Sequence, residues 1–271
     1  RKTNLTLNQN DFLIKIVLKG AFCMVEKYYI EKAIKLIKES RKTFVLTGAG
    51  VSTESGIPDF RSPQTGLWEK VDPMEALSTT VLYNNPRKFY KEGFKMLLGM
   101  TGAEPNKAHL ALAEMERKGY IKGIVTQNID NLHQKAGSKY VLEVHGNTRE
   151  GSCLNCKNKV KLDVINNKVN KGEIPPRCDA CGGILRPDVV FFGDMLPEDF
   201  SIAQEEVGTS DLLIVVGSSL VVSPVNYLPQ LVKKLIIINI GSTPFDRRAD
   251  LCIQGKAGEV LDEILKGLDK E

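Results

Sequence analysis

Long apolar runs are missing from this chain of 271 residues. Stretches such as Leu212–Val216 and Leu235–Ile238 are strand-sized, well short of the roughly 18 to 20 residues that cross a bilayer as a helix, so no membrane role is expected. Aromatic residues are scarce at 7%, and neither sign of charge dominates, with 37 Lys and Arg against 33 Asp and Glu. Residues 1–23 hold Arg1, Lys2, Lys15 and Lys19 against Asp11, which supplies +3 of the net +4. Elsewhere lysines mix with acids along helix-like segments and read as solvated faces, not as a stripe that neutralises phosphates. Nucleic acid is therefore not expected as a direct ligand. A disulfide framework is also unneeded in a chain with apolar strands and this length, so its six cysteines suit a reducing, cytoplasmic setting. What is present, 42% hydrophobic and 26% charged residues, is the composition of a globular protein of one or two domains.

The chain opens on Arg1, and Met24 stands just before a strongly periodic segment. Met24 is the expected initiator, and residues 1–23 a translated leader or a vector-derived segment. Lys19-Gly20-Ala21 admits a purine-rich coding sequence of the ribosome-binding type, whereas Phe12–Val17 is broken by Lys15 and too short for the 7 to 15 apolar residues of a signal peptide.

From Tyr28 to Ser40 apolar residues recur at helical spacing. Thr43–Thr47 follows as a β-branched run ending in Gly48-Ala49-Gly50, a strand that stops at a glycine turn. Further strands are expected at Ile121–Thr126, Val141–Val144, Leu212–Val216 and Leu235–Asn239, and helices at Asn106–Lys118, Ile129–Ala136 and Gly258–Leu268. This alternation predicts an α/β fold with a parallel sheet covered on both faces. Residues 24–60, 105–146 and 187–271 would form that Rossmann-type domain. The strand-poor segment 61–104 and a cysteine-bearing insertion at 147–186 would form a smaller one.

Cys153-x-x-Cys156 and Cys178-x-x-Cys181 enclose residues 157–177, close to the spacing of zinc ribbons. Four thiolates complete a tetrahedral zinc shell and leave no position for substrate, so one structural zinc is expected. Cys23 and Cys252 receive no role, although Cys252 lies in an apolar run and is expected in the core.

Gly48-Ala49-Gly50-Val51-Ser52 after a strand is the setting of a phosphate-binding loop, where glycines let the backbone approach a pyrophosphate. Thr53 replaces the third glycine of the dinucleotide fingerprint, which disfavours an ordinary dehydrogenase. The loop runs on as Thr53-Glu54-Ser55-Gly56-Ile57-Pro58-Asp59-Phe60-Arg61. Thr126-Gln127-Asn128-Ile129-Asp130, Val144-His145-Gly146-Asn147, the paired cysteines, Arg186–Gly193, Gly217-Ser218-Ser219-Leu220 and Asn239 follow in order. Over about residues 28–265 this series resembles the sirtuin family of NAD-dependent protein lysine deacetylases, of bacterial or archaeal type.

The resemblance implies that the acyl oxygen of an acetyl-lysine protein or peptide attacks the nicotinamide ribose of NAD. Nicotinamide leaves, and deacetylated lysine and O-acetyl-ADP-ribose result. It implies catalytic roles for His145, as general base on a ribose hydroxyl, and for Asn128. It implies NAD contacts at Ala49, Thr53, Phe60, Arg61, Gln127, Ile129, Asp130, His145, Ser218, Ser219, Asn239 and Ala257. Val190, Phe192, Gly193 and Val221 would meet the substrate, whose backbone would pair as a strand. Physical chemistry supports the base, because an imidazole with a pKa of about 6.5 removes a proton near neutral pH. His109 and His133 are expected on a helix surface or in packing.

Two departures matter. Asp194 stands where the family usually has Glu, which puts side-chain contacts to the peptide in question. Tyr90-Lys91-Glu92-Gly93 has Gly where succinyl-preferring relatives need Arg, so an apolar acyl group, acetyl first, is expected. The rival readings are a protein mono-ADP-ribosyltransferase and a non-catalytic NAD- or nucleic-acid-binding zinc protein.

Overall fold

The structure, a computed structural model, describes residues 27–59, 72–100 and 102–270. The expectations for residues 1–23, Cys23, Met24, Phe60 and Arg61 lie outside these residues. Helices follow in chain order as α1 (27–39), α2 (Pro73–Ala76), α3 (Thr79–Asn84), α4 (Pro86–Lys91), α5 (Gly93–Leu98), α6 (Lys107–Arg117), α7 (Leu132–Ala136), α8 (Leu162–Asn170), α9 (Glu198–Gly208) and α10 (Ala257–Leu268). Among the described residues none is long and apolar enough to cross a membrane.

β1 (Thr43–Thr47) and a later strand, Leu212–Val216, are buried at every position. They lie side by side at the centre of a sheet covered on both faces, which is why each reads as an unbroken apolar run. β2 (Gly123–Thr126) and β3 (Val141–Glu143) extend the sheet beyond β1. β4 (Gly146–Cys153), β5 (Lys159–Lys161) and β6 (Leu185–Val189) form a separate antiparallel sheet in the order β5-β4-β6. With β7 (Leu212–Val216), β8 (Lys234–Asn239) and β9 (Leu251–Gln254), the main sheet has the order β3-β2-β1-β7-β8-β9 and is parallel throughout. This is the expected Rossmann-type α/β fold with a smaller inserted unit.

Side chains alternate between two apolar layers, as a pleat requires. Val45, Ile124, Ile214 and Ile236 pack with Ala33 and Ile37 of α1, Leu112 of α6 and Leu261 of α10. Phe44, Leu46, Val125, Leu213 and Ile237 pack on the other face with Ala203 and Val207 of α9. Cys252 corrects its expectation: it lies in β9 but is exposed, because Leu251 and Ile253 take the inward positions of the alternation.

A third core fills the smaller unit, with Leu82, Phe89, Tyr90, Phe94 and Leu97 of α3–α5 packed with Leu162, Ile165 and Leu185. Phe89 meets Tyr90 and Phe191 edge to face with centroids 5.0 Å apart, contacts worth about 0.5 to 1.5 kcal/mol each beyond burial. The expected boundary at residue 187 falls inside β6, which pairs with β4.

The helix expected from Ile129 begins only at Leu132. Asn131 takes a left-handed φ of 66°, and the Asp130 carboxylate accepts the Leu132 N–H at 3.0 Å. Residues 127–131 are thereby held out of the helix and across the strand ends.

Candidate active site

The strand order reverses between β1 and β7, the point where open parallel sheets bind ligands beyond their carboxyl ends. A cleft of about 730 Å³ opens there, between the main sheet and the smaller unit. Ala49, Thr53, Gln127, Asn128, Ile129, Asp130, His145, Ser218, Ser219, Asn239 and Ala257 all line it, as do Val190, Phe192 and Gly193. Val221 does not: it is half exposed, and its neighbour Val222 lines the cleft instead.

The glycines of the first loop have a duty other than admitting a phosphate. A Cβ on Gly48 would lie 2.8 Å from the Gly217 carbonyl oxygen, and one on Gly50 2.8 Å from Gly217 Cα. The Gly48 and Gly50 amides already donate to the carbonyls of Val216 and Gly217. Absence of side chains lets the loops after β1 and β7 pack backbone on backbone and form one floor for the cleft.

His145 follows β3. Its Nδ1 lies 2.9 Å from the Gln127 carbonyl oxygen, which can only accept, so the proton sits on Nδ1 and Nε2 keeps its lone pair. Burial lowers its pKa and the Gln127 carbonyl opposes that, leaving a free base at neutral pH. Gln127 Nε2 in turn donates to Ser218 Oγ at 2.9 Å, tying the loop after β2 to the loop after β7.

Ser52, which sequence reasoning passes over, is the hub of the cleft's polar floor. Its hydroxyl donates to Asp130 Oδ2 at 2.6 Å and accepts from Asn128 Nδ2 at 3.1 Å. His109 Nε2 lies 3.4 Å away, and His109 Nδ1 accepts the Asn106 N–H as part of the α6 cap. That bond places the proton on Nε2, so His109 donates to Ser52. The serine's one donor and two acceptor sites are all used, and its proton is committed to the Asp130 carboxylate. The one signal for Ser52 in the sequence is its place in the glycine loop.

His109 and His133 correct the surface half of their expectation. Both are buried, at 0% and 1% exposure, with ring centroids 4.9 Å apart. Burial lowers the pKa of His109 to about 4, against a partly opposing Asp130, and of His133 to about 3, with His109 adding to the effect. Both are neutral when folded, while the unfolded chain titrates them near 6.5. Their full stabilisation holds above pH 6.5 and is lost as pH falls toward 4, because the unfolded state then binds more protons. Acidification from pH 6.5 to 5 should cost about 2 kcal/mol for each histidine. Thermal midpoints across this range should fall steeply, and His133→Leu should flatten the decline.

In the segment expected to meet substrate, Phe192 pairs with the smaller unit: its N–H donates to the Leu77 carbonyl, and its carbonyl accepts from Thr79 N–H. Gly193 has a φ of 91°, with Thr79 Oγ1 only 2.6 Å from where a Cβ would sit. Arg186 forks onto both oxygens of Asp194 at 2.9 and 2.6 Å, and Asp194 also accepts the Phe191 N–H. Asp194 is thus committed to holding this loop.

The Sγ atoms of Cys153, Cys156, Cys178 and Cys181 lie within 4.8 Å of one another. The pairs Cys153–Cys181 and Cys156–Cys178 are 3.5 and 3.8 Å apart. Tetrahedral bonds of about 2.3 Å put thiolates about 3.8 Å apart, so the set fits zinc. A Cβ on Gly183 would lie 2.8 Å from Cys153 Sγ, which keeps that position bare against the cluster.

Residues 48–224 match the model of the Sir2 family. NAD-dependent protein deacetylase 2 of Caldanaerobacter subterraneus subsp. tengcongensis is 63% identical over 243 residues, covering 90% of this chain and 97% of that protein. The NAD-dependent protein deacetylase of Saccharolobus solfataricus is 46% identical over 245 residues, covering 88% and 96%. Among solved structures, a Sir2 complex with a p53 peptide and NAD+ superposes with a TM-score of 0.77 at 39% identity, covering 88% of this chain and 98% of that one. A Sir2 variant with deacetylated p53 peptide and 3'-O-acetyl ADP ribose reaches 0.83 at 40% identity, with the same coverage.

Proposed function

The chain belongs to the Sir2 family and is an NAD-dependent protein lysine deacetylase, and we propose that its reaction centre is built from His145, Asn128, Asp130 and Ser52. NAD supplies a ribose carbon from which nicotinamide departs and to which the acyl oxygen of acetyl-lysine adds; a ribose hydroxyl and one water then take the acyl carbon from the lysine amine, so that the products are nicotinamide, deacetylated lysine and O-acetyl-ADP-ribose. The observation that carries the assignment is the His145 tautomer, fixed by the Gln127 carbonyl with Nε2 left to take a proton.

Around that base each residue has a task its geometry supports. His145 Nε2 removes the proton of a ribose hydroxyl. Asp130, with one oxygen on Ser52 and the other on the Leu132 N–H, presents a fixed carboxylate edge to the nicotinamide carboxamide. Asn128, held at Gly48 O and Ser52 Oγ, orients the ribose. Asn239, Ser219 and Ala257 would take the adenosine end. Apolar Ile57, Leu77, Val189 and Phe191 line the cleft and keep bulk water from the reacting atoms.

The four cysteines would hold one zinc that organises the ribbon, and thiolates of this kind suit a reducing cytoplasm. Two of the ribbon's lysines are spent on acids of the same unit, which supports a protein ligand over a nucleic acid: Lys159 pairs with Glu150 and Asp188, and Lys168 with Glu173 and Asp179.

Gly93 supports an acetyl preference more strongly than its identity alone. A Cβ there would lie 2.2 Å from the Ala76 carbonyl oxygen, so the position admits no side chain, still less a cation for an acyl carboxylate. Tyr90 is turned away as well, buried with its hydroxyl donating to the Leu185 carbonyl. A succinyl-lysine peptide should turn over at least about tenfold more slowly than its acetyl counterpart, since its carboxylate enters without a partner. Matched peptides assayed side by side would show this, and equal rates would refute it.

The founding test is nicotinamide release from NAD with and without an acetyl-lysine peptide, with products followed by mass. Release that depends on peptide, with acetyl on ADP-ribose, is expected. ADP-ribose mass on protein without deacetylation would point to the transferase instead.

A further inference from the structure

His133 does not line the cleft, and it meets the cleft's polar floor only by ring contact with His109, yet it begins a separate chain of hydrogen bonds that ends on the proposed base. We propose that His133 is a positioning residue for His145, acting through Thr47, Thr126 and the peptide unit between Gln127 and Asn128. His133 Nε2 lies 3.0 Å from Thr47 Oγ1. Thr47 Oγ1 donates to Thr126 Oγ1 at 2.9 Å. Thr126 Oγ1 accepts the Asn128 N–H at 3.1 Å, and the carbonyl of that same peptide unit accepts from His145 Nδ1 at 2.9 Å. His133, Thr47 and Thr126 are buried at 1%, 0% and 3% exposure, so water does not compete for these bonds.

The polarity follows from the middle of the chain, where the Thr47 hydroxyl donates to Thr126. Thr47 spends its proton on Thr126 and must accept from His133, which places that imidazole's proton on Nε2. His133 Nδ1 has no partner among the described residues, and a bare acceptor is the less costly group to leave unpaired. Thr47 and Thr126 meet because they are register partners at the ends of adjacent parallel strands. Just beyond them the chain leaves the sheet, and the hydroxyl of Thr126 catches the amide two residues on.

A single peptide plane is thus pinned at both edges, at its N–H by Thr126 and at its C=O by His145. The carbonyl direction selects the His145 tautomer and aims Nε2, and bonds in series polarise one another in a low-dielectric interior. Remove the donor at His133 and Thr47 can turn, Thr126 loses its fixed orientation, and the plane that holds the base slackens. His109 faces His133 from α6, is itself neutral, and directs its proton to Ser52, so it cannot replace this donor.

The inference rests on His145 being the base. The test compares His133→Leu, Thr47→Val, their double variant and His133→Gln, reading kcat and KM from NAD titrations and the pH profile of kcat/KM for peptide at saturating NAD. His133→Leu and Thr47→Val should each lower kcat about tenfold, part of the 10²- to 10⁴-fold that a general base contributes, with KM for NAD unchanged. Each should move the acid limb of the profile to lower pH, because the Gln127 carbonyl holds the His145 pKa up. The double variant should be no worse than either single change, and His133→Gln, which keeps an amide donor, should recover most of the rate. Thr47→Val is nearly isosteric and carries the test if His133→Leu does not fold. A profile that stays in place in the folded variants, or additive losses in the double variant, would overturn the proposal. Failure of the base assignment would instead appear as retained deacetylation in His145→Ala.

Discussion

His145→Ala is expected to cut deacetylation by about 10²- to 10⁴-fold, the range a general base contributes, while the protein stays folded and continues to exchange nicotinamide with NAD. The separation follows from where the imidazole acts. Loss of nicotinamide depends on the ribose carbon, the acyl oxygen and the polar floor of Ser52, Asn128 and Asp130, none of which is removed. In the proposed reaction His145 is needed afterwards, when a ribose hydroxyl must lose its proton. Its Nδ1 is committed to the Gln127 carbonyl, so only Nε2 is offered, and alanine offers nothing there. Exchange of labelled nicotinamide measured beside release of acetylated ADP-ribose separates the two stages. Equal loss of both would assign His145 to binding, and loss of neither would remove it from the mechanism.

Stripping the metal should have the second large effect. Structural zinc sites carry apparent binding free energies of about 10 to 16 kcal/mol, much of which is folding free energy. Here Cys153 and Cys178 belong to the same apolar core as Leu162, Ile165 and Leu185, so the cluster and the packing of the smaller unit stand together. Without the ion, four thiol groups are crowded within 4.8 Å of one another with nothing to bind them. A strong chelator, or Cys156→Ser, should release about one zinc per chain and expose the amides of β4–β6 to hydrogen exchange. Those of β1 and β7, in separate cores, should stay protected. Activity should fall with the ribbon, because β6 leads directly into Phe191–Asp194 and Arg186 of β6 forks onto Asp194. Unchanged exchange and activity in the metal-free protein would show that the thiols suffice.

Much of this is legible along the chain. Composition delimits Thr43–Thr47 and Leu212–Val216 correctly, because a central parallel strand buries both faces and leaves no polar residue to blur its ends. The motifs at 126–130 and 144–147 fall where the structure brings them to one cleft, since each occupies a strand end or the loop after it. The misreadings share a cause. Cys252 reads as core because its neighbours are apolar, although a strand sends alternate side chains outward. Ile129–Asn131 read as helix because their spacing is helical, although Asp130 is drawn away to meet Ser52 and Leu132. Val221 and Val222 have nothing local to tell them apart.

Composition and order along the chain determined the class of fold and the paired cysteines, and pointed to the residue proposed as the base, because apolar periodicity and short motifs are local properties that survive in one dimension. Tertiary structure alone decided which way the protons point. Ser52 becomes a hub only when Asn128, Asp130 and His109 converge on it from more than fifty residues away. Gly93 excludes a side chain only because the Ala76 carbonyl stands over it. His133 reaches His145 only through strands whose ends the sheet has set in register. A hydrogen bond needs its partner at about 3 Å and in the right direction, and distance of that kind is created by folding rather than by neighbourhood in sequence.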